Sequence, residues 1–371
     1  MINLPIMPNR MDRGFNLHKE EYEKKTLEIL NSGWYILGNE VKGFESEFAK
    51  YLGAKHCVGL ASGLDALWIA FRILGIGSGD EVIVQSNTYI ASVMGITING
   101  ATPIFVEPDE YHNIDVTKIE EKITSKTKAI LVVHLYGQAS NMREVMQIAS
   151  KYNLRVVEDC AQSHGAKFDG QMTGTFGDIG CFSFYPSKNL GAFGDAGAIV
   201  TNGDALAKAA RIFRNYGSEK RYYNQVVGTN SRLDELQAGL LRVKLQYLDE
   251  LTKEHYEICR KYLNRLHNDA FTLPQLREGA TSVWHQFVIR VKNRDSLLDY
   301  LGKHQIGTII HYPIPPHLSE AYAYLGYKEG DFPIAEQYAN EVLSLPLYNG
   351  MTDEEFDYIV DTLNAYKEVT S

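Results

Sequence analysis

The chain has 371 residues, 44% of them hydrophobic, which is enough for a buried core and for two packed domains. Its 37 basic residues face 46 acidic ones, a net charge of −9, so it lacks the electrostatic footprint of a nucleic-acid binder and must hold any anionic ligand with a local cluster of donors. Cys57, Cys160, Cys181 and Cys259 form no C-x-x-C pair, which argues against metal and disulfide frameworks and for reduced thiols in a cytoplasmic protein.

In chain order, residues 1–16 read as an extended arm; Met1 to Ile6 lack the basic-then-apolar pattern of a secretory signal, and no apolar stretch is long enough to span a membrane. Helical periodicity covers 17–31 and stops at Gly33, and a second helix runs from Glu40 to Leu52. Strand-length apolar runs follow at 57–60, 81–85, 103–106, 129–134, 155–159, 180–185 and 197–201. Probable helices, clearest at 64–74 and 142–152, fall between the first five runs, a pattern that predicts an α/β domain with a largely parallel sheet. Such sheets bind ligands at the carboxyl ends of their strands. Beyond about residue 245 the pattern changes. A helical stretch from Leu233 to Leu266 leads to a strand (Trp284 to Val291), a helix (Ser296 to His304), a strand (Gly307 to Ile310) and helices near 333–343 and 352–366. Residues 1–245 are thus expected to form a large α/β domain with an N-terminal arm, and 246–371 a small α+β domain packed over it. No repeats or low-complexity tracts interrupt them.

Four pieces at predicted strand ends carry chemistry. Ser62-Gly63 follows the first strand and opens a helix, a turn whose free amides suit a phosphate, although an N-cap serine has the same sequence. Tyr89, after the second strand, is either an aromatic that stacks on a ligand ring or a half-buried core tyrosine. Asp159 ends the fifth strand, with Gln162 and His164 beyond it; a helix-capping aspartate and a core histidine are the alternative. Ser183 and Lys188 lie in Ser183-Phe184-Tyr185-Pro186-Ser187-Lys188-Asn189, where a strand runs into a loop. A carboxylate at one strand end and an amine at another suggest pyridoxal phosphate (PLP): the lysine forms a Schiff base and the aspartate keeps the pyridine nitrogen protonated. Burial beside a cationic ring would lower the lysine pKa and free its lone pair.

In this order and spacing, the pieces resemble the DegT-type sugar-nucleotide aminotransferases of PLP fold type I. The resemblance covers nearly the whole chain. It extends to Gly33-Trp34-Tyr35-Ile36-Leu37-Gly38, Val133-His134-Leu135-Tyr136-Gly137, Asn230-Ser231-Arg232-Leu233-Asp234-Glu235-Leu236-Gln237 and His311-Tyr312-Pro313. It implies a mostly parallel seven-stranded sheet sandwiched by helices, with a smaller α+β C-terminal domain. Lys188 would be the Schiff-base lysine and Asp159 the partner of the ring nitrogen. Gln162 would lie beside the ring oxygen, Tyr89 would stack on the ring, and Ser62, Gly63 and Ser183 would take the phosphate. Asn230 would reach the phosphate of the neighbouring subunit, making the enzyme a homodimer with shared active sites. Many members carry threonine where this chain has Leu64, so the phosphate would lean on backbone amides and Ser183.

The segment Ser86-Asn87-Thr88-Tyr89-Ile90-Ala91-Ser92, taken with Ser62-Gly63-Leu64, is most similar to members that aminate C3 of a dTDP-3-keto-6-deoxyhexose. Glutamate would be the amino donor and pyridoxamine phosphate (PMP) the intermediate carrier, in a ping-pong cycle. Amination at C4 is the alternative. Arg214, Lys220, Arg221 and the partner's Arg232 are candidates for the diphosphate, and His311, Tyr312 and His317 for the hexose end; a solvated surface role is the competing reading of the basic residues. A related 3-dehydratase carries histidine in place of the lysine, so Lys188 argues against that reaction. A non-catalytic regulatory protein on the same fold is a further rival. A dinucleotide oxidoreductase would need G-x-G-x-x-G after the first strand, and Gly75-Ile76-Gly77-Ser78-Gly79 reads instead as a helix end and turn.

Overall fold

The computed structural model describes residues 4–368; Met1 to Asn3 of the expected arm and Val369 to Ser371 lie outside the described residues. The arm is not wholly extended: Met11–Leu17 is already helical (α1), followed by α2 (Lys19–Ser32) and α3 (Asn39–Leu52). Gly33 and Gly53 end the last two with left-handed backbone, which a side chain would disfavour.

The central sheet is built from β1 (His56–Leu60), β2 (Glu81–Gln85), β3 (Thr102–Val106), β4 (Thr127–Val133) and β5 (Arg155–Asp159). A two-residue pair, β6 (Lys167–Phe168) and β7 (Gln171–Met172), precedes its last members, β8 (Ile179–Ser183) and β9 (Gly197–Thr201). The strand order is β1-β9-β8-β5-β4-β2-β3, seven strands in all. Only β9 runs against the others: it is antiparallel to both β1 and β8, while the remaining neighbours pair in parallel. The strands are buried along nearly their whole length because helices cover both faces. Helices α4 (Gly63–Ile73), α5 (Ile90–Thr97) and α6 (Met142–Tyr152) fill crossovers, and α7 (Asp204–Phe213), after the last strand, packs back on β1 and β9. The chain is therefore an α/β protein with a mostly parallel seven-stranded sheet between helices.

The expected long helix over 233–266 is two helices, α8 (Glu235–Leu245) and α9 (Leu248–Arg265), broken at Gln246-Tyr247. A hairpin, β10 (Ser218–Lys220) with β11 (Tyr223–Asn224), stands out before them. In the last third, β12 (Phe287–Arg290) pairs antiparallel with β13 (Val342–Leu345), beside α10 (Arg294–Lys303), α11 (Pro333–Glu341) and α12 (Asp353–Ala365). The strand expected over Gly307 to Ile310 is reduced to a single bridge, Ile309 to Ser344; its place beside β12 is taken by β13. A capping box at Thr352 and Glu355 starts α12. One apolar core gathers Tyr262, Phe287, Leu343, Phe356 and Ile6 of the arm. Tyr322, Phe332, Tyr338 and Val342 pack instead into the core under the central sheet, so the two regions share a face. Among the described residues no helix is long and apolar enough to cross a membrane.

Candidate active site

The carboxyl ends of β2, β5 and β8, with the turn after β1, converge on a cavity of about 490 Å³. Ser62 and Gly63 line it from the turn, Thr88 and Tyr89 from the end of β2, Asp159 and Gln162 from beyond β5, and Ser183 and Lys188 from β8 and its loop. The last third of the chain closes it with His285, Gln286, His311 and Tyr312. Widely separated stretches of sequence thus meet because parallel strands all point their carboxyl ends to one side.

Asp159 is buried and oriented from both oxygens. Its Oδ1 accepts from the Ala161 amide at 3.1 Å and its Oδ2 from Ser92 Oγ at 2.8 Å. Ser92 Oγ lies 2.8 Å from Thr88 Oγ1 in turn, so a hydroxyl relay ends on the carboxylate. Burial pushes the Asp159 pKa up, against these two hydrogen bonds and the Lys188 charge. Lys188 feels the opposite pressure: burial lowers its amine to about 8, with Asp159 resisting. The two side chains face one cavity and influence each other without forming an ion pair, leaving the space between them for a ligand.

Gln162 is held at both ends. Its Oε1 accepts from the Tyr136 amide at 2.6 Å and its Nε2 donates to Tyr312 Oη at 3.1 Å. Tyr89 is half exposed, and its ring centroid lies 5.0 Å from that of Tyr312. Ser62 caps α4, accepting from the Asp65 amide at 3.1 Å, which leaves the first-turn amides of Gly63 and Leu64 without a helical acceptor. A Cβ on Gly63 would sit 2.4 Å from Ser183 Cβ, so the missing side chain is what lets this helix end meet β8. His311 is neutral: Nδ1 lies 2.8 Å from Ser344 Oγ and Nε2 2.8 Å from the Gln286 amide nitrogen, and burial with the Lys188 charge lowers it to about 4.

Several expected positions differ. Arg214 does not reach the cavity: it is buried, with Nη1 on the Glu45 carboxylate and the Gly59 carbonyl, bracing β1 against α3. His317 is equally committed elsewhere, bonded to Glu336 at 3.0 Å and enclosed by Phe105 and Phe332. Both expectations are corrected by carboxylate partners, Glu45 and Glu336, that their own local sequence does not announce. His164 packs on Phe182 and Phe184, apart from the cavity lining. Asn230 is exposed and bridges to Asn215, and Arg232 donates to Asn215 Oδ1 at 3.2 Å; neither lines the cavity of its own chain. Lys220 and Arg221 stand on the exposed hairpin beside Tyr223 and Tyr222.

Ser92, His285 and Gln286 are site residues that sequence reasoning missed. Ser92 lies one helical turn beyond Tyr89, an i+3 spacing that could have pointed to it. His285 has no such signal; it reaches the site by bonding through Nδ1 to Asn189 Oδ1 at 3.1 Å, beside Lys188. Under the floor, buried Glu158 accepts from the amides of Gly174, Phe176 and Gly177 at 2.7 to 2.9 Å and faces His134 Nε2 at 3.1 Å. The Ser140 amide donates to His134 Nδ1, so Nε2 carries the proton and both groups are occupied in holding the loops around Asp159.

A family model described as the DegT/DnrJ/EryC1/StrS aminotransferase family matches residues 16–364. The chain is 53% identical, over 94% of its length and 96% of the relative's, to a dTDP-3-amino-3,6-dideoxy-alpha-D-galactopyranose transaminase of Aneurinibacillus thermoaerophilus. The crystal structure of DesV from S. venezuelae superposes with a TM-score of 0.96 at 42% identity, covering 98% of both chains. NtdA from Bacillus subtilis, solved with bound cofactor PMP, superposes at 0.88 with 32% identity over 95% of this chain and 83% of its own.

Proposed function

Because the chain belongs to the DegT/DnrJ/EryC1/StrS aminotransferase family, and so is a PLP-dependent transaminase acting on sugar nucleotides, we propose that it moves an amino group from glutamate to C3 of a dTDP-3-keto-6-deoxyhexose, giving the dTDP-3-amino-3,6-dideoxyhexose. The observation that carries the chemistry is the single cavity shared by Lys188 and Asp159. The galactopyranose product named for the 53% identical relative supports the sugar and makes the galacto substrate the first to test.

The residues present fit the cofactor. A buried amine with a lowered pKa faces a carboxylate anchored from behind, and the α4 amides meet Ser183 where a phosphate would need donors. When bound, PLP supplies an aldehyde that takes up an amine and a cationic ring that accepts an electron pair. Ser62, Gly63 and Ser183 would hold the phosphate, Tyr89 would cover the ring face and Gln162 would orient its oxygen. Asp159, steadied by Ser92 and Ala161, keeps the proton on the ring nitrogen. Lys188 would take the proton from the donor's Cα as general base and, as general acid, deliver it to the cofactor carbon that bears the nitrogen; its lowered pKa places both states within reach near neutral pH. His311 and Tyr312, at the open side, would position the keto sugar.

Lys188 is the only Lys or Arg lining the cavity among the described residues. A phosphate, a sugar diphosphate and a dicarboxylate donor therefore call for cations from outside it. Lys220, Arg221 and Asn230 are exposed and Arg232 beside them is half-buried, all outside the cavity of their own chain, and a twofold dimer would carry them to the other copy's site. The decisive assay incubates the enzyme with glutamate and dTDP-3-keto or dTDP-4-keto 6-deoxyhexoses and locates the new C–N bond by NMR. Nitrogen on C3 is expected; nitrogen only on C4 overturns the regiochemistry and leaves the transaminase.

A further inference from the structure

A second cavity, of about 380 Å³, shares Ser187 and Lys188 with the first and no other residue. Its walls come from α1 and the residues before it, from the loop after Lys188, from Lys244 on α8 and His255 on α9, and from Tyr348 and Asn349. The charges around it do not cancel. Asp12 is the one carboxylate in the lining, and Arg10 holds it through two hydrogen bonds of 2.8 and 2.6 Å. Lys244 faces the same space, and nothing but burial acts on its amine, with no carboxylate to offset it. His255 gives no compensation: Nδ1 lies 3.1 Å from the Trp284 carbonyl, Nε2 is buried without a partner, and burial keeps the ring neutral. Tyr22 and Tyr348, the other titratable groups in the lining, are pushed up by burial and stay neutral. A half-buried cation that lines a cavity with no carboxylate beside it has room for an anion, and the transamination chemistry does not use Lys244.

We propose that this rear chamber is an anion site in which Lys244 holds a small oxyanion, a carboxylate or a phosphate, alongside Lys188. An anion there stabilises the protonated nitrogen of Lys188, so the site tunes the amine on which the proposed reaction depends; the tuning rests on that reading, the binding does not. Nothing in the site demands a large ligand, and its lining meets that of the first cavity only at Ser187 and Lys188.

The test uses holoenzyme saturated with dTDP, so that phosphate cannot occupy the front of the site. Inorganic phosphate is titrated by calorimetry into wild type, Lys244→Met and Lys244→Arg, with acetate as the carboxylate arm. In parallel the visible band of the cofactor is titrated with pH, with and without phosphate. Saturable binding to wild type is expected, about tenfold weaker in Lys244→Met and largely kept in Lys244→Arg. Phosphate should raise the pH midpoint of the band in wild type and leave Lys244→Met unmoved. Equal binding to wild type and Lys244→Met, or no binding to wild type under dTDP, overturns the proposal. Should Lys244→Met not fold, wild type and Lys244→Arg still decide it by the same binding. Protein without a visible band would defeat the PLP assignment while leaving the calorimetric arm intact, so the two failures separate.

Discussion

At Lys188, burial holds the amine near a pKa of about 8, so its nucleophilic form grows as pH rises through that value. Cofactor uptake by the apoprotein should therefore accelerate between roughly pH 7 and 9, followed by the growth of the visible band in stopped flow. A rate flat across that range would contradict the shift. Lys188→Ala removes the general acid/base and should cost at least about 10²–10⁴-fold in turnover. Ser92→Ala makes a finer test, because the Ser92 hydroxyl hydrogen-bonds to the carboxylate and to Thr88 and plays no part in proton transfer. Losing a hydrogen bond to a charged group costs about 1.5–3 kcal/mol, so cofactor affinity should fall roughly tenfold or more by equilibrium dialysis. That Asp159 and Lys188 face one cavity was legible because Asp159 ends β5 and Lys188 lies in the loop that follows β8. Arg214 and His317 were misread because residue type does not say which layer a side chain enters, and Glu45 and Glu336 claimed them.

Among the elements, the junction of α4 with β8 leaves no room for a side chain at Gly63. Gly63→Ala must displace either the helix end or Ser183, so it should lower the thermal midpoint by the equivalent of about 1–3 kcal/mol and weaken cofactor binding in the same variant. Unchanged binding would separate the packing from the phosphate site. The central strands were legible from sequence because burial on both faces turns each into an unbroken apolar run. β13 was not: Val342–Leu345 continues the apolar pattern of α11, and only its pairing with β12, more than fifty residues earlier, makes it a strand. The break between α8 and α9 has the same character, since both sides keep helical periodicity and tertiary packing sets the kink.

For the molecule as a whole, buried neutral histidines set the acid limit. Burial lowers His112 and His164 to about 3 and His255 and His311 to about 4, below the roughly 6.5 of an unfolded chain. The unfolded state then binds more protons across that interval. Stability from these groups is complete above about pH 6.5 and is lost as pH falls toward their folded values. Calorimetry of the apoprotein should show a midpoint falling from about pH 7 to about pH 5, and a flat profile would count against their burial.

A site shared between two copies would make a sharper claim about assembly. If each site joins Lys188 of one copy to Arg232 of the partner subunit, neither Lys188→Ala nor Arg232→Ala alone sustains normal turnover. In a hybrid of the two variants, one site carries both defects and the other carries neither. Random remixing makes about half of all dimers hybrid, so about a quarter of the sites should recover wild-type turnover. Sites built within one chain would leave Lys188→Ala defective in one half of the hybrid and Arg232→Ala in the other, with no recovery. The position of Arg232 outside the cavity of its own chain, next to exposed Asn230, favours the first outcome. Remixing after partial denaturation, with activity followed against the ratio of the two variants, decides between them: a bell-shaped curve supports the dimeric site and a straight line excludes it.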